Sequence, residues 1–328
     1  MSETDSRVQI IPLGGLGEIG KNMTVIRFED SIILIDAGLM FPEEELLGID
    51  VVIPDISYLL ENRDKVKAIL LTHGHEDHVG SLPYVLKEID VPVYGSRLTL
   101  GIVEGKLREH DLNKVRLNVV RPRDYIKIGP FEIEFFRVSH SIPDSMGIAI
   151  HTPVGIILHT GDIKLDQTPV DGQVVDFRKL AELGERGVLV MMGDSTNADR
   201  PGFTMSEKVV GNTFDEMFGK CEGRIIVTTF ASNVHRIQQA ITTAHKYGRK
   251  VAVVGRSMVN NVKISHELGY INLPDDILVD MEDIGKYPGN KLVIVTTGSQ
   301  GEPMSALTRM AMADHRWVGI EAGDTVII

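Results

Sequence analysis

The sequence predicts an α/β protein of two domains, and three observations carry that expectation: a β-rich first half punctuated by glycine, a strand-loop-helix cycle repeated from about Asp194 onward, and the composition of an ordinary globular chain. At 328 residues the chain exceeds a usual single domain and can bury a substantial core. Hydrophobic residues at 43% and charged residues at 24% exclude a disordered or fibrous chain.

In the first half, 8 to 160, strand-like runs include Thr24–Phe28, Ser31–Asp36, Val66–Thr72 and Phe131–Val138, the last partly alternating as a half-buried strand would. Glycines at 14, 15, 17, 38, 74, 147 and 161 mark tight turns beside strand ends. The Gly14-x-x-Gly17-x-x-Gly20 spacing is not the G-x-G-x-x-G of a dinucleotide site. Val79 to Glu88 reads as a helix. In the second half Thr204–Glu207 reads as a capping box opening a helix, Gly223–Thr229 as a strand, and Ser232 to Lys246 as a helix. The cycle recurs with Lys250–Val254 and Ser257–Leu268, then with Lys291–Thr296 and Met304–Ala313, which predicts a parallel sheet flanked by helices. The boundary is expected near residue 195, giving domains 1–195 and 196–328.

The polar start Met1–Arg7 shows no signal peptide, and every apolar run is too short to span a membrane. A single cysteine, Cys221, excludes an internal disulfide framework and a cysteine metal site, and fits a reducing cytoplasm. The formal net charge of −12 is awkward for a nucleic-acid enzyme, which must then rely on local patches and metal ions. One candidate patch is Lys106, Arg108, Lys114, Arg116, Arg121, Arg123 and Lys127, although a run like this is more often a solvated face than a binding groove.

The strongest chemical signal is His73-Gly74-His75-Glu76-Asp77-His78. Residues two apart in an extended turn point the same way, so His73 and His75 can grip one ion while Asp77 and His78, entering a helix, face a neighbouring one. A solvated polar loop would explain one histidine, but not three and an aspartate in six residues. His140 and Asp162 follow predicted strands and can converge on the same place. The expected set is His73, His75 and His140 for one ion, Asp77 and His78 for the other, with Asp162 shared. Zinc suits these ligands and manganese would tolerate them. Two such ions, about 3.5 to 4 Å apart, would lower the pKa of a shared water enough to supply hydroxide at neutral pH. His151, His159, His235 and His315 are expected to be structural or at the surface.

These motifs, with Pro12–Met23, Asp36–Pro42, His140–Ser145, Gly193–Ala198 and Thr296–Pro303, resemble the ribonuclease J family, of the β-CASP branch of the metallo-β-lactamase superfamily. The resemblance implies an αββα sandwich holding two zinc ions, a β-CASP domain, and single-stranded RNA threaded between them. It also implies 5′-to-3′ exonuclease activity favoured by a 5′-monophosphate, with endonuclease activity, in RNA maturation and decay. A homo-oligomer is the expected state. In that frame Asp77 and Asp194 are the candidate catalytic carboxylates, although Asp194 equally suits a turn cap. Ser232, Asn233, Arg256 and Ser257 stand at helix starts suited to a phosphate, and Phe41 suits base stacking. Ordinary N-capping is the simpler account of each serine, and a core position suits Phe41 as well as stacking does.

In the family the chain continues beyond the region of Val326–Ile328, through a serine-glycine-histidine motif, to a last metal histidine. No residue here matches either, so a fragment of a longer product is expected, with a weaker second ion. Two other functions use the same ligands or the same fold: a small-molecule hydrolase such as a thioesterase or lactonase, and a catalytically impaired RNA-binding fragment.

Overall fold

The computed structural model describes residues 7–42, 48–299 and 305–328. Expectations on 1–6, 300–303 and Met304 lie outside the described residues. The chain divides into two compact units, the first ending at Pro201 and the second comprising Gly202–Ile328 with the short segments Ser141–Pro143 and Asp166–Gln173.

The first unit is built on two sheets. Strands β1 (Val8–Gly14), β2 (Met23–Phe28), β3 (Ser31–Ile35), β4 (Val66–Leu70), β5 (Val93–Gly95) and β6 (Leu117–Val119) lie in that spatial order. The first three pair antiparallel, and β3 through β6 run parallel. Short helices α1 (Ser57–Glu61), α2 (Glu76–Val79) and α3 (Leu82–Glu88) and the longer α4 (Arg97–Glu109) supply the connections. The second sheet has β7 (Tyr125–Ile128), β8 (Phe131–Arg137), β9 (Met146–Thr152), β10 (Gly155–His159) and β11 (Val188–Met192), with α5 (Phe177–Arg186) before the last strand. Its order is β11-β10-β9-β8-β7, antiparallel except for β10 with β11.

One core joins the two sheets face to face: Ile26, Ile33, Ile35 and Leu70 from the first, Phe131, Ile133, Phe135, Ile148 and Ile150 from the second. Each such side chain contributes about 1.5–3 kcal/mol when fully buried. The outer face of the first sheet is covered by Leu59, Leu82, Val85, Leu100, Val103 and Leu107 of α1, α3 and α4. Leu183 of α5 packs with Phe136 and Leu158 on the outer face of the second. This is the αββα arrangement that the resemblance implies. Phe136 breaks the alternation of β8 because both of its faces are covered there, and its register partner is Gly147, where a Cβ would stand 2.1 Å from the ring.

Two local expectations need correction here. The helix expected over Val79–Glu88 is two pieces, α2 and α3, interrupted at Gly80–Ser81. Ser81 N donates to Ala37 O, and the Asp77 and His78 carbonyls accept from Asn22 N and Ala37 N, so the helical hydrogen-bond ladder is diverted at this point. The 13-residue α4 falls inside the stretch read as β-rich, since its apolar residues follow helical spacing only over a longer window.

The second unit contains α6 (Lys208–Lys220), β12 (Ile225–Thr228), α7 (Val234–Lys246), β13 (Lys250–Val254), α8 (Arg256–Glu267), β14 (Leu292–Thr296), α9 (Ala306–Ala311) and β15 (Thr325–Ile327). The sheet order is β13-β14-β12-β15, wholly parallel as expected. The expected caps differ. No capping box forms at Thr204–Glu207: Ser206 Oγ accepts from Lys208 N, and Glu207 turns to Arg236 at 2.6 Å. Asn233, not Ser232, caps α7 by accepting from Arg236 N at 3.1 Å. Ser257 lies inside the first turn of α8, whose N-cap is Gly255 at φ 105°. No helix of the described residues is long and apolar enough to cross a membrane.

Candidate metal centre

The hexapeptide begins where β4 ends and runs into α2, so its ligands leave the carboxyl end of a buried strand. A backbone ladder fixes the turn. Ala37 N donates to His78 O at 2.8 Å, Leu39 N to Glu76 O at 3.1 Å, and Asn22 N to Asp77 O at 3.0 Å. Gly38 sits inside this ladder, where a Cβ would come 1.6 Å from Asp77 O, so only glycine fits.

Two groups of donor atoms result. His73, His75, His140 and Asp162 offer ligand atoms within 4.8 Å of one another, as do Asp77, His78 and Asp162. His73 Nε2 and His140 Nε2 stand 3.0 and 3.1 Å from His75 Nδ1. Ring nitrogens this close either share a proton or converge on a cation, and tetrahedral zinc at 2.0–2.1 Å places its nitrogen ligands about 3.3 Å apart. The donor set therefore fits a metal ion. Asp162 divides between the groups: Oδ2 faces His140 at 3.6 Å and His73 at 3.9 Å, while Oδ1 faces His78 at 3.3 Å. Asp77 Oδ2 is 3.6 Å from His78 Nε2.

Electrostatics follow the same division. Burial and the neighbouring imidazoles hold His73 well below the usual histidine range. Burial would lower His78 too, but the charges of Asp36 and Asp162 outweigh it and hold this ring well above that range. Burial raises Asp77. For Asp162 burial is outweighed by the hydrogen bond and charge of His78, with His140 and His75, so its carboxyl lies far below the usual aspartate value.

Sequence reasoning missed three residues at this centre. Asp36, at φ 60° just past β3, accepts from His78 Nδ1 at 2.7 Å and from Thr72. Such a carboxylate-histidine pair sets the orientation of a ligand ring. Thr72 lies against His73 Nδ1 at 3.0 Å, and the Asn22 amide lies 3.1 Å from Asp77 O. An acid directly after an apolar strand was the available signal for Asp36, but spacing alone does not show which histidine it meets.

The remaining candidates are more dispersed. Asp194 is exposed, and its carboxylate accepts from Thr196 N at 2.9 Å and Ile163 N at 3.3 Å, one residue from Asp162. Phe41 is 64% exposed, so it is not a core residue. Asn233 is buried by its capping role, Ser232 is half-buried, and Arg256 and Ser257 are exposed at the start of α8. Asn261 of α8 donates to Ala231 O at 3.0 Å, tying the α7 approach to α8. The expected basic patch is largely neutralised: Lys106 meets Glu76, Arg108 Glu104, Arg116 Asp90, Arg123 Asp176 and Lys127 Glu132. A cavity of about 600 Å³ in the second unit, lined by Arg224, Tyr287 and Trp317, lies toward the amino ends of the strands and contains none of the metal-centre residues. His151 pairs with Glu134 at 3.3 Å and His159 accepts from Gly161 N at 3.0 Å, structural roles both.

Comparison with known proteins gives the context. Residues 16–190 match the family model of the metallo-beta-lactamase superfamily, and 222–328 match "Ribonuclease J, beta-CASP domain". Among curated proteins, Ribonuclease J of Thermus thermophilus is 51% identical over 98% of this chain and 57% of its own length. Ribonuclease J of Helicobacter pylori is 50% identical over 98% of this chain and 47% of its own length. Ribonuclease J2 of Bacillus subtilis is 47% identical, over 98% and 58%. The chain thus spans about half the length of the curated relatives it matches. A crystal structure of a protein of unknown function from Enterococcus faecalis shares the fold at 17% identity, with a TM-score of 0.67 and coverage of 98% and 89%.

Proposed function

Because the chain belongs to the metallo-β-lactamase superfamily and carries a ribonuclease J β-CASP segment, we propose that it hydrolyses phosphodiester bonds of single-stranded RNA, 5′-to-3′ from a monophosphorylated end and also internally. The observation that carries this reading is the division of Asp162 between two donor groups, Oδ2 toward His73 and His140, Oδ1 toward His78. In this reading residues 1–195 form the catalytic domain and 196–328 the β-CASP domain, and the protein works as a cytoplasmic homo-oligomer in RNA processing and decay.

When bound, two zinc or manganese ions supply Lewis acidity, activating water and neutralising phosphoryl oxygens. The protein side of the chemistry is positioning. His73, His75 and His140 would present ring nitrogens to one ion, Asp77 and His78 would hold the other, and the Asp162 carboxylate would offset the repulsion between them. Asp36 keeps the His78 ring turned so that Nε2 faces inward. Asp194, whose carboxylate accepts from the amide of Ile163, the residue after Asp162, would influence the leaving oxygen. Ser232, Asn233, Arg256 and Ser257 would meet the 5′-phosphate through side chains and helix amides, and Phe41 would stack a base.

The test is incubation with 5′-monophosphorylated RNA, with and without added zinc or manganese, beside a His75→Ala control. Stepwise loss of 5′ nucleotides that disappears in the variant is expected. RNA binding without cleavage would instead support an RNA-binding role, and thioester or lactone hydrolysis with RNA untouched would replace the substrate class.

A further inference from the structure

Behind the ligand atoms runs a buried chain of hydrogen bonds. Thr72 Oγ1 lies 2.8 Å from Asp36 Oδ2 and 3.0 Å from His73 Nδ1, and His78 Nδ1 lies 2.7 Å from the same Asp36 oxygen. Thr72 N donates to the other oxygen, Oδ1, at 2.8 Å. Asp36, Thr72, His73 and His78 are all 2% exposed or less, so solvent has no room to replace any of these partners.

Counting protons fixes the direction of each bond. A hydroxyl has one proton, and an ionised carboxylate only accepts. At 2.8 Å the proton between Thr72 Oγ1 and Asp36 Oδ2 must come from Thr72. Thr72 then offers His73 only a lone pair, so His73 Nδ1 carries the proton of that bond. His73 Nε2 is left as a lone pair, and this is the atom 3.0 Å from His75 Nδ1 in the first donor group. At His78 the Nδ1 proton goes straight to Asp36, and Nε2 faces Asp162 in the second group. The longer approach of Thr72 Oγ1 to His78 Nδ1, 3.4 Å, leaves the shorter bond to Asp36 dominant.

We propose that Thr72 is a positioning residue that relays the Asp36 carboxylate to His73, so that one buried carboxylate fixes the metal-ready tautomer of His73 in the first donor group and the ring orientation of His78 in the second. The inference deepens the two-ion reading and rests on it. It makes the two residues unequal: Asp36 acts on both groups, Thr72 on the first alone.

Thr72→Val keeps the shape and removes the hydroxyl, while Thr72→Ser keeps it. Two readouts are taken on the whole chain: long-range proton-nitrogen spectra of the metal-free, histidine-labelled protein, and zinc affinity by chelator competition. His73 is expected to carry its proton on Nδ1 in the unaltered chain and in Thr72→Ser, and to lose that signature in Thr72→Val. Zinc binding should weaken about 10–100-fold for one equivalent in Thr72→Val and for every equivalent in Asp36→Asn, while Thr72→Ser stays within about threefold. A His73 protonated on Nε2 in the unaltered chain, or Thr72→Val holding zinc as tightly as Thr72→Ser, overturns the proposal. An unaltered chain that binds no zinc rejects the two-ion reading itself, while the nitrogen spectra still decide the relay.

Discussion

The ligand cluster at the end of β4 and the helix starts at α7 and α8 both sit at carboxyl ends of strands in their own units, yet they are built differently. At the first, His73, His78, Asp36 and Thr72 are buried, and each polar atom has a partner that dictates its orientation. At the second, Arg256 and Ser257 are exposed, and the buried Asn233 is already committed to its own helix. Gathering several donors around an ion demands side chains locked before the ion arrives, because ordering them afterwards would consume the binding energy. Contacting a solvated phosphate requires only accessible donors and a helix dipole. Damage to the cluster should therefore be catastrophic, and damage to the helix starts graded.

The largest effect is expected at Asp162. Asp162→Ala removes the carboxylate common to both groups and should lower RNA cleavage by about 10²–10³-fold or more, the scale for losing a group that stabilises transition-state charge. Single-turnover cleavage rates measure it, and an unchanged rate would dissolve the contrast. Next comes Gly38→Ala. Its Cβ would overlap Asp77 O at 1.6 Å, so the ladder holding the hexapeptide must open. A loss of about 3 kcal/mol, seen as a lower Tm together with weaker zinc binding, is expected.

A smaller effect tests an element away from the metal. Asp176 caps α5 through Lys179 N at 3.1 Å and pairs with Arg123 at 3.0 and 3.1 Å. Burial alone would raise this carboxyl, but Arg123 and the Lys179 amide hold it below the usual aspartate value. Its stabilisation is then complete above the ordinary aspartate range and disappears as pH falls through the lowered native value. Asp176→Ala should cost about 1–2 kcal/mol at neutral pH and progressively less in acid, as denaturant unfolding across pH will show.

The mildest changes belong to the helix starts. Asn233→Ala should cost about 1 kcal/mol of stability, whereas Ser232→Ala, which removes no cap, should cost under about 0.5 kcal/mol. Arg256→Ala should leave stability unchanged and reduce both RNA affinity and its salt slope, by about one unit if it meets a phosphate. Equal stability losses at Ser232 and Asn233 would contradict the assignment of the cap.

Much of this was legible in the sequence because the informative signals were local. Four residues of the hexapeptide supply most of the donors, and the strand-helix cycle after Gly223 announces a parallel sheet. What stayed hidden depends on contacts distant in the chain. Asp36 reaches His78 across 42 residues, and no periodicity encodes that. The cap of α7 was misplaced by one residue because Ser232 and Asn233 are both good caps, and only backbone geometry chooses between them. The basic run from Lys106 to Lys127 looked like a patch because its acidic partners, Glu76, Asp90 and Asp176 among them, lie elsewhere in the sequence.

The most direct measurement is anomalous scattering at the zinc edge from crystals of the chain grown with zinc. Two peaks about 3.5–4 Å apart are expected, one within about 2.1 Å of His73 Nε2, His75 Nδ1 and His140 Nε2, the other beside Asp77 and His78 Nε2, with Asp162 between them. Zinc bound elsewhere, with these side chains left empty, would contradict the account.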